Sequence, residues 1–348
     1  MKKSFSIAAI AMSFFAGGCA IHPLPEDVTG VDTYHIVRQI RCETRETVRK
    51  KVLIWLADMA SHGNPRAQEL SLKYESDPEA ISTFHYDLFK EPRYAAVRSV
   101  AKLFYDTGIA YNFDFTMTED NDLTAGVDFL KPLTQPRFTL GIDAGIKRKR
   151  SNYRTFTVTD TFSSLLKLNN RVYCAGQIVQ ANYAYPIAGR IGVDKLVNDF
   201  IELTLFANLG GKATPGNPGG PPTIADRLTF TTTLNASADP MVVFTPVTSA
   251  FQLTNASLTA SAVRSDMHQV AVALAIMPSG EGELDPLRAF LFSRDRGATV
   301  ARQGAGPRAL SPLYVGTRVI GGSTPAERLA VIALDQIKSR EIQIIPPP

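Results

Sequence analysis

Cysteine, tryptophan and histidine are scarce in this 348-residue chain, at three, one and five residues. Three cysteines cannot frame a disulfide-built scaffold, so an apolar core must hold the fold. The histidines at 22, 35, 62, 85 and 268 form neither a His-Glu-x-x-His nor a His-x-His pattern, and no metal site is expected. No Gly-x-Ser-x-Gly elbow and no Ser-x-x-Lys with its penicillin-binding companions occurs, which leaves only a triad dispersed along the chain as a route to hydrolysis. Gly210-Gly211-Lys212-Ala213 lacks the spacing and the hydroxyl of a phosphate loop. Neither Cys42 nor Cys174 has a His motif beside it, and no cofactor is implied. Excess charge is missing too: the net charge of +4 falls to +2 once Lys2 and Lys3 are subtracted, which gives no case for nucleic acid. After the first apolar run, no second one approaches the length of a membrane span.

That first run is the most telling stretch. Lys2 and Lys3 precede an apolar segment from about Phe5 to Phe15, which ends in small residues. The pattern is a secretory leader, too short to cross a bilayer as a helix. Ala16-Gly17-Gly18-Cys19 resembles the lipobox of bacterial lipoproteins, although Ala16 stands where that family most often has leucine. The resemblance implies cleavage after residue 18, acylation of Cys19 and attachment to membrane lipid. Ala20, rather than an aspartate, follows the cysteine. Within the resemblance this favours the outer membrane, with inner-membrane anchoring as the alternative. Cys42 and Cys174 then remain as an even pair in an oxidising compartment, either bridged or as two buried thiols.

Residues 19–30, with Pro23 and Pro25, read as the anchor and its tether. Residues 31–108 read as a helical block. Its long first helix carries Ile36, Ile40, Val48, Val52, Trp55 and Met59 on one stripe. Arg38, Arg41, Arg45 and Arg49 share another face, where they either meet anionic headgroups or form a solvated surface beside Glu43 and Glu46. Breaks at 61–65 and at Pro78 and Pro92 mark shorter helices. His85, Tyr86 and Asp87 read as a structural polar cluster.

At Tyr111 the period becomes two: Tyr111, Phe113, Phe115 and Met117 alternate with polar residues, as on a half-buried strand. Glu119-Asp120-Asn121-Asp122 reads as a turn. A duplication follows. Phe115, Phe129, Pro132, Phe138 and Arg150-Ser151 in one copy match Phe230, Phe244, Pro246, Phe251 and Arg264-Ser265 in the other. Each copy reads as a three- or four-stranded antiparallel meander. The expected organisation is therefore a first β unit at 109–210 that includes an amphipathic helix from Asp194, a Gly/Pro-rich connector at 211–222, and a second β unit at 223–348. Thr324-x-x-Glu327 with Pro325 forms a capping box that starts a last helix. The fold class is α+β, a helical block followed by a duplicated antiparallel β unit, packed as a sandwich by preference or as one sheet covered by helices. Strands of spanning length are too few, and a terminal aromatic is lacking, for a lipid-embedded barrel. Each copy also bears a faint similarity to the short β domains that occur beside bacterial trypsin-like proteases, over about forty-five residues and without a catalytic motif.

Lys147-Arg148-Lys149-Arg150, continuing to Arg154, is the densest basic run. It reads as a contact for an anionic glycan or lipid phosphate, or as a guarded edge strand. The expected function is a lipid-anchored, non-enzymatic binding or structural module of the cell envelope, facing the periplasm or the surface, with an envelope protein or glycan as partner. The alternatives are an envelope hydrolase with a dispersed triad and an accessory factor of a secreted protease.

Overall fold

The structure, a computed structural model, describes residues 22–131, 138–176, 182, 184–211, 220–243, 252–277, 282–284, 287 and 324–342. The leader with Cys19, most of the connector, and Phe244, Pro246 and Phe251 of the second repeat lie outside the described residues.

A short turn of helix, α1 (Glu26–Thr29), precedes the long α2 (Thr33–Ser61). Ile36, Ile40 and Val48 of the expected stripe are buried, and Leu56 joins them. Asn64 caps α3 (Pro65–Ser76) by accepting from the Ala67 N–H at 3.0 Å, and Pro65 sits where its missing N–H costs nothing. Asp77 accepts from the Glu79 N–H at 3.1 Å and opens a 3-10 turn over Pro78–Thr83. A further turn at Pro92–Tyr94 leads into α4 (Ala95–Tyr105).

The strands are β1 (Gly108–Lys131), β2 (Phe138–Thr161), β3 (Thr223–Ala238), β4 (Met241–Val243) and β5 (Gln252–Ala275). They form one sheet in the order β2-β1-β5-β3, with β4 beside β5. The sheet is antiparallel throughout. Asn112 meets Thr157 while Asp122 meets Lys147 across β1 and β2. Phe115 meets His268 while Asp128 meets Asn255 across β1 and β5. The Leu258 and Ile276 N–H groups donate to Pro240 and Pro222 across β5 and the β3–β4 lane. The sandwich expectation is thus replaced by the one-sheet alternative, and each repeat is a single long hairpin rather than a meander.

The expected turn at 119–122 is absent because those acids have strand partners. Glu119 pairs with Arg150 at 3.0 Å, Asp120 with Lys149 at 3.4 Å and Asp122 with Lys147 at 3.6 Å. Paired across the ladder, the acidic and basic runs stabilise the strand that either alone would disfavour.

The chain divides into two compact units that interleave along the sequence: unit 1 holds residues up to 32 with 115–154 and 231–268, and unit 2 holds 33–114, 155–230 and 269–348. The boundaries expected at 108 and at 211–222 fall inside unit 2. There the sheet is covered on both faces. Tyr111 and Asp160 face α2, while Ala110, Ala271, Ala273 and Ala275 pack on Ala330, Ala333 and Leu334 of α7 (Pro325–Ile342). The α7 capping box is present, with Thr324 Oγ1 accepting from the Glu327 N–H at 3.2 Å and Glu327 accepting from the Thr324 N–H at 2.9 Å. The remaining helices are α5 (Phe162–Lys167) and α6 (Val193–Phe206), the latter burying Leu196, Val197 and Phe200.

Candidate functional site

In unit 2 the four arginines of α2 are tied into the fold. Arg41 makes a bidentate pair with Asp160, both contacts at 2.7 Å, and its third nitrogen donates to the Tyr173 hydroxyl. Asp160 holds the guanidinium strongly charged. Arg45 is 2% exposed and donates to the Leu168 carbonyl at 3.0 Å. Arg38 donates to the Tyr173 and Val172 carbonyls, and Arg49 pairs with Glu46 at 2.8 Å. Cys42 and Cys174 are joined by a disulfide across a separation of 132 residues, which staples α2 to the helical turn Asn170–Cys174. Glu43, 3% exposed, accepts from the backbone N–H groups of Ile191, Gly192 and Val193 at 2.9, 2.7 and 3.0 Å. Burial pushes its carboxyl up, and the three donors at the start of α6 oppose that shift. These residues build the fold.

A cleft of about 510 Å³ lies between α2 and α6, lined by Glu46, Lys50, Lys51, Arg190, Asp194 and Asn198 among others. Several of its charges pair with one another, Arg190 with Asp194 at 2.9 Å and Lys50 with Glu46 at 3.8 Å, and Lys51 donates to the Asn198 side chain. No nucleophile with a base beside it lines the cleft, and no cluster able to hold a metal occurs among the described residues.

Unit 1 is different in kind. Its strands keep a two-residue alternation with a few exceptions, and among the described residues several large apolar side chains on them stand exposed. On one face, Leu123, Ala125, Val127 and Phe129 of β1 lie in rows with Ile146, Ala144, Ile142 and Leu140 of β2. The same rows continue to Ala260, Leu258 and Ala256 of β5 and to Ala238 and Val242 in the β3–β4 lane. Ile142, Ile146 and Val242 are each more than half exposed. The opposite face carries Thr124, Gly126, Asp128, Asp143, Ser257, Thr259 and Asp239, with Met241, Val243, Val263, Met267 and Tyr153 as its apolar exceptions. Large contiguous apolar patches on a protein surface mark protein, ligand or membrane contacts.

The apolar band has a charged lower border. Asn121 and Arg148, then Glu119, Arg150 and Arg264, occupy the next rows of the same face. Here the N-terminal segment docks. The Asn152 side chain donates to the Pro23 carbonyl at 2.9 Å, Arg264 donates to the Leu24 carbonyl at 2.8 Å, and Arg264 stands 3.9 Å from Asp27. Arg264 also donates to Asp266, which is 1% exposed. Beneath them His268, 2% exposed and edge-on to Phe115, is pushed down by burial to about 4.

The basic run is therefore split by strand parity. Lys147 and Lys149 stand on the polar face against Asp122 and Asp120, Arg148 and Arg150 stand on the border of the apolar band, and Arg154 lies farther along β2. Reading Glu119 to Asp122 as a turn hid the continuity of β1 into residues 123–129, although the alternation there was available in the sequence.

The family model described as "Y4kA: Uncharacterised protein y4kA" matches residues 22–289. The chain belongs to the Y4kA family. A relative, the uncharacterized protein y4kA of Sinorhizobium fredii (strain NBRC 101917 / NGR234), is 31% identical over 287 residues, covering 81% of this chain and 86% of its own. The stretch matched by the Y4kA model takes in both long hairpins and the docked N-terminal segment. No solved structure matches the chain.

Proposed function

We propose that this Y4kA-family protein is a non-enzymatic structural component of the outer membrane, held there by lipid on Cys19 and by insertion of the unit 1 sheet into the bilayer with its apolar face against hydrocarbon. The observation that carries the reading is the exposed apolar band shared by four strands. The band occupies seven residues of β1, Leu123 to Phe129, and β1 ends two residues farther on at Lys131, which brings the strand to the lower end of the roughly nine to eleven residues a tilted strand needs to cross a bilayer. No helix among the described residues is long and apolar enough for that role.

Two features of the border support the same reading. Arg148 is exposed at the base of the band, at the depth where a guanidinium group reaches headgroups, while Arg150 is paired with Glu119 and Arg264 is buried against Leu24. Pro23, docked at that border, is four residues from Cys19. Four residues span at most about 14 Å, so acyl chains on Cys19 would enter the bilayer beside the band. The expected role as a binding module for a protein or glycan is thereby narrowed to a surface whose main partner is lipid.

The test is alkaline carbonate extraction of membranes from cells producing the wild type, Cys19→Ser, and Cys19→Ser combined with Ile142→Arg and Leu258→Arg. Retention of Cys19→Ser with release of the combined variant supports insertion of the sheet. Release of Cys19→Ser alone would leave an anchored module whose apolar face meets another protein.

A further inference from the structure

Insertion of this sheet sets a backbone requirement that one copy cannot meet. In hydrocarbon every N–H and C=O needs a partner, so a spanning sheet must have no open edge. Among the described residues, the order β2-β1-β5-β3 leaves the outer sides of β2 and of the β3–β4 lane as its two edges.

One chain has too few strands for a lipid-embedded barrel, as its sequence implies; we propose, building on the membrane reading, that several copies close head to tail into one transmembrane β-barrel, the β2 edge of each copy pairing with the β3–β4 edge of the next. The polar face then lines a water-filled lumen.

Strand direction permits this closure. Across the sheet the strands run down, up, down and up, so the upward β3 of one copy meets the downward β2 of its neighbour and the antiparallel alternation continues unbroken. Insertion also selects it over the two-fold alternative. Copies that enter one membrane from one side are related by rotation about the membrane normal, and such a rotation brings unlike edges together. Pairing β2 with β2 as antiparallel neighbours would send the two hairpin tips in opposite directions.

The polar face has the features of a lumen. Gly126 and Gly141 both lie on it, and a Cβ at Gly126 would stand 2.5 Å from Asp143 Oδ1, one at Gly141 3.0 Å from Asp128 Oδ1. Leaving out side chains on that face alone lets the sheet curl toward it. Asp128, Asp143 and Asp239 stand at band level on that face, Asp128 accepting from Asn255 at 3.1 Å and Asp239 from Thr259 at 2.9 Å, a polar surface of the kind that lines a water-filled lumen.

The experiment uses the mature full-length protein in detergent and in vesicles of phosphatidylethanolamine and phosphatidylglycerol. Asp143→Cys on β2 and Ser237→Cys on β3 are made singly and together, then treated with flexible bismaleimides; Cys42 and Cys174 are already bridged. The double variant is expected to give a ladder ending in one discrete closed species and the singles none, with stepwise ion conductance in planar bilayers that Ile142→Arg lowers about tenfold or more. Crosslinked dimers from a single variant, or a carbonate-resistant protein that stays monomeric, would overturn the barrel and leave the membrane reading standing. Carbonate release of Cys19→Ser would overturn both.

Discussion

Two stretches of β1 follow the same two-residue period in opposite surroundings. At Ile109, Tyr111 and Phe113 the apolar positions belong to unit 2 and are fully buried beneath helices. At Leu123 and Val127 the same parity belongs to unit 1, where Leu123 is 44% exposed. Alternation alone therefore states that a strand has one apolar face. It does not state what, if anything, packs on that face.

The sharpest way to break this comparison is truncation at matched positions. Phe113→Ala is expected to cost about 3–5 kcal/mol in urea unfolding, because it opens a cavity in a packed core, whereas Ile142→Ala stays within about 0.5 kcal/mol in water. An equal effect at both sites would show that unit 1 is packed like unit 2. Arg41→Ala comes next. It strands the Asp160 carboxylate, 5% exposed, and is expected to lower the unfolding free energy by about 3–4 kcal/mol, with Asp160→Asn and Arg41→Leu together recovering part of the loss.

The pH dependence probes the base of unit 1. His268 titrates near 4 in the fold against about 6.5 when unfolded, so protonation favours the unfolded chain. Its contribution is intact above about 6.5 and is lost as the pH falls toward 4, to a total of about 3 kcal/mol. His268→Phe is expected to flatten that part of a stability-against-pH curve. The smallest effect belongs to the α7 contact on the sheet. A Cβ at Gly108 would stand 2.3 Å from the Ala326 backbone, so Gly108→Ala is expected to cost about 1–3 kcal/mol and to lower thermal stability without changing membrane retention.

Much of the local structure was legible residue by residue. The helix over 33–61, the breaks at 61–65 and at Pro78, the capping box at Thr324 and the strand through Tyr111 to Met117 all rest on patterns a few residues long, and each appears where those patterns lie. The candidate site was half legible. Acids at 119–122 favour turns when taken alone, and only their pairing with Arg150, Lys149 and Lys147, some thirty residues away, makes them strand. Arg38, Arg41, Arg45 and Arg49 share a helix face by spacing, yet their partners come from residues 160–173 of the chain for three of them and from Glu46 for the fourth.

By itself the sequence determined period, helix breaks, the Thr324 capping box and the α+β class, since each follows from side-chain spacing along one element. The tertiary structure alone decided that the repeats form one sheet, that acidic and basic runs face each other, and that part of an alternating face is left uncovered. Those outcomes depend on register between distant segments, and register is set by the whole set of cross-strand partners rather than by any one stretch of chain.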